Sequence, residues 1–493
     1  MPTKIDLLIV KPGSAKKIYG SLSSSLAAIE PPVWGGIVAS FIRDRGYSVR
    51  MIDMEIDGLT VDEIAEKIIG NNPLLIDILV MGPNPSASST PLMPATRELL
   101  DALKKKNQKI KTILTGIHPS ALPEKTLKEQ KTDFVGQGES FYTILHLLEA
   151  LKSGKKIEDI KIKGLWYLDA GKLVSGGWGE LIRDPKELPP VAWDLIEDMD
   201  KYRAHNWHCF GHLKERSPYG VIYTSLGCPY GCDYCNIKTL YDGKPGIRFR
   251  DPQSIVEEID LLVKKYKVKN IKFLDELFAI SEKRVDEVCD PIIERGYNLN
   301  IWAYARINTV NERMLKKMKK AGINWLCYGI ESGSKDVRLG VSKIGFDQDL
   351  IKKSVKMTHD AGIYIIGNFI FGLPDDNLET MQETFNVAKE SECEYANFYV
   401  AMAYPGSKLY EESVKNGVRI PEGWLGFAQL NEETLPLPTK YLSGPEVLRF
   451  RDKAFEEYFS RPEYLKMIEK KFGKEEVSHI NEMLEFKIKR KYA

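Results

Sequence analysis

Short apolar runs alternate with helix-like segments in the first part of the chain. The runs IDLLIV, VRMID, LIDILVMG and KTILTG have the length and apolar content of buried strands. The segments TVDEIAEKIIG and ATRELLDALKKKN between them repeat their apolar residues with a helical period. Strands that alternate with helices of this length are typical of a parallel, doubly wound sheet. We therefore expect an α/β, Rossmann-like domain over residues 1–154.

A second alternation of strands and helices begins at YGVIYTS. After that strand come KNIKFLDE, LNIWAYA, INWLCYGIE, YIIGNFIFG and YANFYVAM, separated by helical segments such as SIVEEIDLLVKKY. Six βα units are enough for an open barrel but fewer than the eight that close a complete one. The pattern predicts a partial (β/α)6 barrel over residues 219–412.

Two further regions have weaker patterns. Residues 155–218 look like a linker, in which GLWYLDAGKLVSGG predicts a small β-hairpin. Residues 413–493 are mostly charged with helical periodicity, and we expect a helical C-terminal region there. The basic end of the chain, KIKRKYA, is typical of a solvated terminus.

Charge and hydropathy argue against several classes of function. The chain has 70 Lys and Arg against 69 Asp and Glu, so no net basic charge favours nucleic acid as a partner. The longest apolar stretch, IYIIGNFIFGL, is too short to cross a bilayer, so no membrane span is expected. The N-terminal MPTKIDLLIVKPG lacks the pattern of a signal peptide. We therefore expect a cytoplasmic protein.

Three of the seven cysteines lie within eight residues. Cys228, Cys232 and Cys235 have C-x3-C-x2-C spacing just past the strand YGVIYTS, where barrel enzymes place their chemistry. An odd number of cysteines with three of them clustered indicates metal binding rather than disulfides in a reducing cytosol. The other four are scattered, and we expect buried structural thiols: Cys209, Cys289, Cys327 and Cys393.

Three thiolates suit two kinds of metal site. A structural zinc ion normally takes four protein ligands, so a nearby His would have to complete a zinc site here. A 4Fe–4S cluster also usually takes four cysteines, so three of them leave one iron free to bind another ligand. The spacing alone leaves both interpretations open.

The cysteine motif resembles the signature of the radical S-adenosylmethionine (SAM) enzymes. It shares their C-x3-C-x2-C spacing, with an aromatic residue, Tyr234, before the last cysteine. The resemblance implies a 4Fe–4S cluster on Cys228, Cys232 and Cys235, with SAM chelating the open iron. In that family an electron from the cluster cleaves SAM to methionine and a 5′-deoxyadenosyl radical. An external electron donor of the flavodoxin or ferredoxin type is therefore expected.

Further barrel residues match positions that face SAM in this family. Asp275 and Glu276 lie in FLDELF, in the place of the family's methionine-binding segment. Arg306 follows LNIWAYA and Glu331 lies in GIESGS, at charged positions that commonly face the carboxylate and ribose of SAM. The resemblance implies SAM-binding roles for these four and for Tyr234. Ordinary salt bridges are the alternative for Arg306 and Glu331.

Three loops that follow strands of the first domain are rich in Gly, Pro and Ser. They are GPNPSASST, GIHPSALPE and GQGES. In doubly wound sheets ligands bind beyond the C-terminal ends of the strands. Residues of these types let the backbone approach a large ligand closely. No G-x-G-x-x-G is present, which disfavours a dinucleotide, and simple turns are the alternative.

The first domain resembles the cobalamin-binding domain that is fused to radical SAM barrels. PPVWGGIVASFIRDRGYSVRMID is similar to the opening segment of that domain. GIHPSALPE and DFVGQGES are similar to its G-G-x-H-P-T and G-E-G-E stretches, with Thr115 and Gln137 as departures. The resemblance implies cobalamin-binding positions in all three loops: Gly82, Ser86, Ser88, Ser89, Gly116, His118, Pro119, Gly136, Gly138 and Glu139.

One expected cobalt ligand is missing from the sequence. Many cobalamin proteins carry D-x-H-x-x-G, whose His replaces the nucleotide base beneath cobalt. In this chain Gly116 stands two residues before His118, where Asp would be, so the usual imidazole ligand is not expected. A missing or weak axial ligand would change how readily the cobalt–methyl bond forms and breaks.

The linker contains a second group of potential metal ligands. HNWHCFGH places His205, His208, Cys209 and His212 close together, but the spacing does not match a standard zinc finger. Three interpretations stay open: a metal site, a wall of the substrate cavity between the two domains, or a plain connector.

The two resemblances together imply a cobalamin-dependent radical SAM methyltransferase. Such an enzyme methylates an unactivated carbon of an organic substrate by way of the 5′-deoxyadenosyl radical and methylcobalamin. A cobalamin-dependent radical SAM cyclase or ring-rearranging enzyme without methyl transfer is the alternative. We expect an organic small-molecule or lipid-like substrate, to which strand-end aromatics such as Trp302, Tyr304 and Tyr404 are suited.

Two other classes are disfavoured. A methylthiotransferase acting on tRNA would need three further cysteines in its N-terminal domain, and none occurs before Cys209. A light- or cobalamin-sensing protein would not need the loop with three thiolates.

Overall fold

The structure, a computed structural model, describes residues 5–13, 15–20, 26–157 and 160–493. The prediction that the chain starts without a signal peptide rests partly on residues 1–4, which lie outside the described residues. Across the ranges just given, no helix is long and apolar enough to cross a membrane.

Seven strands form the sheet of the N-terminal domain: β1 (Ile5–Lys11), β2 (Val49–Asp53), β3 (Pro73–Val80), β4 (Thr112–Gly116), β5 (Phe134–Gly136), β6 (Leu165–Asp169) and β7 (Lys172–Ser175). Their order is β2-β1-β3-β4-β5-β6-β7. β1 to β5 pair in parallel, and the hairpin of β6 and β7 pairs antiparallel to β5. The hairpin predicted within the linker therefore extends the first sheet.

Helices cover this sheet, whose central strands are buried on both faces. Val61–Gly70 begins at a capping box, in which Thr60 and Glu63 bind each other's backbone N–H groups. The other helices are Ala15–Tyr19, Val33–Arg43, Met54–Asp57, Pro85–Ser88, Met93–Lys106, Ile117–Ala121, Pro123–Glu129 and Phe141–Ser153.

The second domain is a partial barrel. Its strands are β8 (Tyr219–Ile222), β11 (Asn270–Phe273), β12 (Asn300–Ala305), β13 (Ile323–Glu331), β14 (Tyr364–Phe371) and β15 (Tyr395–Val400), and a separate small pair is formed by β9 (Ser225–Leu226) and β10 (Arg248–Phe249). The six barrel strands are parallel and adjacent in the order β15-β14-β13-β12-β11-β8. The predicted fold class, a doubly wound domain followed by a (β/α)6 barrel and helices, is confirmed.

Helices follow the barrel strands and complete the chain. In the barrel they are Pro252–Lys264, Glu282–Arg295, Glu312–Lys320, Lys335–Gly340, Gln348–Asp360, Leu378–Glu390 and Lys408–Lys415. The C-terminal region contains Gly444–Ser460, Pro462–Phe472 and Lys474–Glu485. Single 3-10 turns occur at Thr90–Leu92, Pro185–Glu187, Trp193–Leu195, Met199–Lys201, Trp207–Cys209, Ile237–Leu240 and Trp424–Phe427.

The two domains share one continuous apolar core. The ring of Trp34 in the first domain lies 5.9 Å from that of Tyr223, at the end of β8. A buried ion pair also crosses the boundary, because Lys272 of β11 donates to both carboxylate oxygens of Glu30 at 3.0 Å. The strand ends of the first domain are therefore held against the barrel.

The basic C-terminus is not simply a solvated end. The side chain of Arg490 is 4% exposed and donates to both carboxylate oxygens of Asp452 at 2.9 Å. It also donates to the backbone oxygen of Asn431 at 2.8 Å. The prediction of a solvated terminus is wrong for Arg490, because folded carboxylate and carbonyl acceptors compensate its guanidinium for lost hydration.

Candidate active site

The three clustered cysteines lie on a tight loop at the C-terminal end of β8. The N–H of Cys235 donates to the backbone oxygen of Cys232 at 3.1 Å, and the N–H of Gly246 donates to that of Cys228 at 2.9 Å. Gly227 has a φ of +90°, and a Cβ there would lie 2.4 Å from the backbone oxygen of Gly246, so the turn into the loop requires glycine. All three thiols border one cavity of about 250 Å³.

The thiols are suited to a cluster rather than a single ion. Burial raises the pKa of the Cys228 thiol to about 11 and that of Cys235 to about 12, so these groups need a metal to stay ionised at neutral pH. Among the described residues, no three His, Cys, Asp or Glu side chains converge as ligands of one metal ion. This disfavours the zinc alternative, whereas the thiolates of one 4Fe–4S cluster bind three different irons.

The five predicted SAM-binding side chains surround the same cavity. The hydroxyl of Tyr234 donates to the carboxylate of Glu331 at 3.1 Å. Arg306 lies with its guanidinium 3.8 Å from the sulfur of Cys232, 3.8 Å from the ring centroid of Tyr230, and 2.8 Å from the backbone oxygen of Ile344. Arg306 is therefore already engaged on the side of the cavity that carries the cysteines.

The two acidic residues that end β11 hold neighbouring backbone. Asp275 is buried and accepts from the N–H of Thr224 at 2.6 Å and from the hydroxyl of Ser225 at 2.7 Å. Glu276 accepts from the N–H of Gly227 at 3.0 Å, and burial raises the pKa of its carboxyl to about 7. Both residues border the cavity and fix the loop that carries the cysteines.

Lys343 is a cavity residue that the sequence analysis did not identify. Its ammonium donates to the carboxylate of Glu331 at 3.0 Å, and both side chains are less than a tenth exposed. Glu331 has a φ of +67°, an unusual value outside glycine, where the register of β13 against β14 shifts. No motif marks Lys343, because it lies in a loop twelve residues after Glu331.

The loop after β3 connects the first domain to the cysteine loop. The hydroxyl of Ser86 donates to the side-chain oxygen of Asn236 at 2.7 Å and lies 3.9 Å from the sulfur of Cys235. The hydroxyls of Ser88 and Ser89 instead bind backbone oxygens within their own loop. Ser86 therefore faces the cysteine cavity, and Ser88 borders a second one.

The other predicted cobalamin positions lie further along the sheet edge. Glu139 forms a buried ion pair with Arg248 of the barrel and accepts from the N–H of Ile182 at 3.0 Å. His118 is buried, with its Nδ1 3.2 Å from the hydroxyl of Thr90. Among the described residues, the predicted positions outside both large cavities are Gly82, Ser89, Gly116, His118, Pro119, Gly136, Gly138 and Glu139.

His118 does not present a free imidazole to a ligand. Its ring packs edge-on against Trp424, with centroids 4.6 Å apart. Burial lowers the pKa of His118 to about 3, so the ring is neutral at physiological pH. That the usual imidazole ligand of cobalt is absent stays a prediction.

A second cavity, of about 340 Å³, opens between the domains. Its N-terminal wall is formed by the segments after β1 and β3, which flank the point where the strand order of the sheet reverses. Small side chains there, Ala27, Ala28 and Ala87, leave room for a large ligand to approach the backbone. Corrin at this edge would thus be compatible with the residues present.

The two cavities are neighbours. Both are lined by a common set of side chains from the first domain, the barrel and the C-terminal region: Asn84, Ala87, Tyr304, Asn368, Tyr399 and Gln429. A ligand in the cysteine cavity would therefore lie next to a ligand in the second one.

Part of the linker stretch HNWHCFGH forms a cavity wall. His205 and Trp207 line the second cavity, with their rings stacked at 5.1 Å. His208 is buried, with its Nε2 3.1 Å from the backbone oxygen of Asn300, and His212 is exposed. Each of the four scattered cysteines is buried, as predicted: Cys209, Cys289, Cys327 and Cys393.

Comparisons with known families agree with this architecture. The family model described as the B12 binding domain matches residues 22–148. The model of the Radical SAM superfamily matches residues 222–388. The two matched regions coincide with the doubly wound domain and with most of the barrel.

Two curated proteins are similar to most of this chain. The chain is 28% identical over 462 residues to "Uncharacterized methyltransferase PH0819" of Pyrococcus horikoshii, covering 93% of each chain. It is 25% identical to the anaerobic magnesium-protoporphyrin IX monomethyl ester cyclase of Rubrivivax gelatinosus, over 80% of this chain and 68% of that protein.

Solved structures share the fold. The radical SAM methyltransferase TsrM from Kitasatospora setae has a TM-score of 0.67 at 16% identity, covering 86% of this chain and 76% of that one. The cobalamin-dependent radical SAM enzyme OxsB has a TM-score of 0.70 at 14% identity, covering 98% of this chain and 71% of that one.

The C-terminal strand ends of the doubly wound domain face the barrel and its loop of three thiols. This arrangement defines an enzyme with two cofactor sites at the interface of its domains. The chain belongs to the cobalamin-dependent radical SAM enzymes. Its cofactors are a 4Fe–4S cluster, SAM and cobalamin.

Proposed function

We propose that this protein is a cobalamin-dependent radical SAM methyltransferase that acts on an unactivated carbon of an organic substrate. The observation that carries the proposal is the shared boundary of the two cavities, formed by residues such as Tyr304, Asn368 and Tyr399. Methyl transfer requires both cofactors to reach one substrate atom, and a common space between the domains permits this. The methyltransferase of Pyrococcus horikoshii, similar over most of both chains, supports the same conclusion.

We assign the cluster to Cys228, Cys232 and Cys235. When bound, the cluster supplies an electron for cleavage of SAM, and cobalamin carries the methyl group. Arg306 lies next to the sulfur of Cys232, where its positive charge stabilises a thiolate. Asp275 keeps the strand end and the cysteine loop together through its hydrogen bonds to Thr224 and Ser225.

We assign SAM binding to Tyr234, Glu276, Glu331 and Lys343. Lys343 donates one hydrogen bond to Glu331, and its other two ammonium protons can bind a carboxylate in the cavity. Glu331 is oriented by both Tyr234 and Lys343, so its remaining oxygen can accept from a hydroxyl group such as those of a ribose.

For cobalamin, we assign contacts to the loop after β3, with Ser86 and Ser88 bordering the two cavities. The remaining predicted positions keep the sheet edge in shape. The backbone oxygens of Gly136 and Gly138, for example, share the hydroxyl proton of Ser120, and Glu139 pairs with Arg248 of the barrel.

The alternative is a cyclase or ring-rearranging enzyme with the same cofactors. The observation in its favour is the similarity to the anaerobic magnesium-protoporphyrin IX monomethyl ester cyclase of Rubrivivax gelatinosus. For either function we propose a cytoplasmic enzyme that takes its electron from a flavodoxin or ferredoxin. Its substrate would be an organic small molecule or a lipid-like molecule, and not a nucleic acid.

The test does not require the substrate. The protein is reconstituted anaerobically with iron, sulfide and cobalamin, reduced, and incubated with SAM labelled in its methyl group. A methyltransferase transfers the label to the extracted corrinoid and releases S-adenosylhomocysteine, in addition to 5′-deoxyadenosine. A cyclase releases 5′-deoxyadenosine without S-adenosylhomocysteine. Failure to bind either iron or cobalt under these conditions would contradict both functions.

A further inference from the structure

The second cavity has a wall that neither cofactor explains. Besides residues of the first domain, its lining includes residues of β12 and β15, His205 and Trp207 of the linker, and Phe455 and Phe486 of the C-terminal region. These residues, which lie outside the segments after β1 and β3, form the wall. A molecule held there would touch the boundary shared with the cysteine cavity.

Among the residues that the structure describes, each cation on the walls of the second cavity is already paired. Lys272 uses its three protons on the two oxygens of Glu30 and, at 2.8 Å, on the backbone oxygen of Pro83. Arg451 donates to Asp452 at 2.7 Å, and Lys487 donates to Glu456 at 2.5 Å.

Among the described residues of these walls, the imidazole of His205 is uncharged. Burial and the charge of Lys272 hold the pKa of His205 well below its usual range. The Nε2 of His205 lies 3.7 Å from the carboxylate of Glu30, and its ring stacks on that of Trp207. His205 therefore contributes a flat neutral surface and not a positive charge.

The polar groups that remain free on these walls are neutral. Within the described part of the chain, the hydroxyls of Tyr304 and Tyr399 have no hydrogen-bond partner, and burial raises the pKa of both well above the usual value. The side-chain NH2 of Asn397, which lines the cavity, donates to the side-chain oxygen of Asn368 at 2.9 Å, so the side-chain oxygen of Asn397 is left to accept a hydrogen bond. These groups can bind a neutral polar function but cannot balance a charge.

We infer that this wall is the substrate chamber, and that it selects an uncharged molecule with a flat or extended apolar body and a neutral hydrogen-bonding group. A phosphate ester or nucleotide would lose its hydration there without gaining an opposite charge, which is costly. The inference rests on the proposed function, because only an enzyme of that kind has a substrate here. It adds the chemical class of molecule that the site accepts.

The test uses two probes with one ring system, 2-naphthol and 2-naphthyl phosphate. Their binding to the holoenzyme, loaded with cluster and cobalamin, is measured by isothermal titration calorimetry without SAM. We expect 2-naphthol to bind at least about ten-fold more tightly than 2-naphthyl phosphate, because the cavity offers the phosphate group no unpaired cation. Equal or tighter binding of the phosphate overturns the inference. So does a lack of 2-naphthol binding to the holoenzyme, since cobalamin would then fill the chamber.

Two variants at Asn397 test whether the probes bind in the second cavity. Asn397→Leu replaces the side-chain amide by an apolar group with the same branching and should weaken 2-naphthol several-fold. Asn397→Lys adds an unpaired cation and should reverse the preference between the two probes. The matched controls are Asn386→Leu and Asn386→Lys, at an exposed position on Leu378–Glu390, and they should change neither affinity. If neither Asn397 variant changes the affinity for the two probes, the probes bind elsewhere and the inference is overturned.

The probes and the methyl-transfer assay can fail separately. If 2-naphthol binds more tightly but no label reaches the corrinoid, the inference of a neutral chamber is supported and the methyltransferase proposal is wrong. If the label is transferred but the preference is absent, the methyltransferase stands and the neutral chamber is wrong.

Discussion

Lys343 donates a hydrogen bond of 3.0 Å to the carboxylate of Glu331, and both side chains face the cavity of the three cysteines. The pair places a positive and a negative charge side by side in a site that is largely shielded from water. A zwitterionic ligand such as the methionine end of SAM has charges that this arrangement can match.

The first prediction concerns this pair. Lys343→Met should weaken SAM binding by about ten- to a hundred-fold, because a hydrogen bond to a charged group is lost inside the cavity. Equilibrium dialysis with cluster-loaded protein measures the affinity. Lys335→Met, at the exposed start of Lys335–Gly340, is the control and should leave SAM binding unchanged. Equal affinities for wild type and Lys343→Met would remove Lys343 from the site.

Cluster loading should depend on the motif cysteines alone. Cys232→Ala should lower the iron content from about four atoms per chain to near zero, because two thiolates do not retain a cubane. Iron and sulfide analysis after anaerobic reconstitution measures this. Cys289→Ala removes a buried thiol on Glu282–Arg295, far from the loop in sequence, and should retain full iron per folded chain. Iron loss in both variants would mean that the protein simply misfolds.

The ion pair between the domains should matter strongly for stability. Lys272 and Glu30 are both less than a twentieth exposed, so Lys272→Met leaves a buried carboxylate without its partner. We expect a loss of about 3–5 kcal/mol in the free energy of unfolding, measured in urea. Lys264→Met, which breaks an exposed pair with Asp260, should cost less than about 1 kcal/mol.

A double variant tests whether the two residues act as a pair. Glu30→Gln combined with Lys272→Met should recover part of the loss, because no uncompensated charge remains buried. Strictly additive losses in the two single variants would contradict this account.

Asp77 should make stability depend on pH. It is fully buried in β3, accepts from the hydroxyl of Thr115 at 2.7 Å, and burial raises its pKa from 3.8 to about 7. The folded state therefore binds more protons than the unfolded state between about pH 4 and pH 7. Stability should fall as pH rises through this window, by up to about 1.4 kcal/mol per pH unit.

Asp77→Asn should remove that dependence, since an amide does not titrate. The variant should be more stable than wild type at pH 8, with the difference shrinking toward pH 4. Urea unfolding at several pH values measures it. Parallel curves for the two proteins would show that Asp77 stays ionised in the folded state.

The C-terminal residues should contribute to stability through Arg490. Arg490→Ala removes hydrogen bonds to Asp452 and to the backbone of Asn431, and a charged hydrogen bond contributes about 1.5–3 kcal/mol. We expect a loss of this order in the free energy of unfolding. Lys489→Ala, at an exposed neighbouring position, should have no measurable effect. A null result for Arg490→Ala would support a solvated terminus after all.

The sequence by itself determined the elements and brought out the three clustered cysteines. Strand and helix positions followed from apolar periodicity, which depends on neighbours within a few residues. Cys228, Cys232 and Cys235, the proposed cluster ligands, were visible because they lie in one short segment.

Other features were decided only by tertiary structure. Lys343 reaches the cavity from a loop with no motif, and Glu139 finds its partner Arg248 from 109 residues away in the chain. The hairpin of β6 and β7 joins the first sheet because β5 offers an unpaired edge. Arg490 is buried because Asp452 lies on a helix that packs beside it.

The second cavity has the same origin. Its walls come from the first domain, the linker, the barrel and the C-terminal helices, and no local pattern links those segments. A sequence shows which residues carry charge, but only packing decides which charges are paired. The neutrality of the chamber follows from such pairing, and it could not have been derived from composition or spacing.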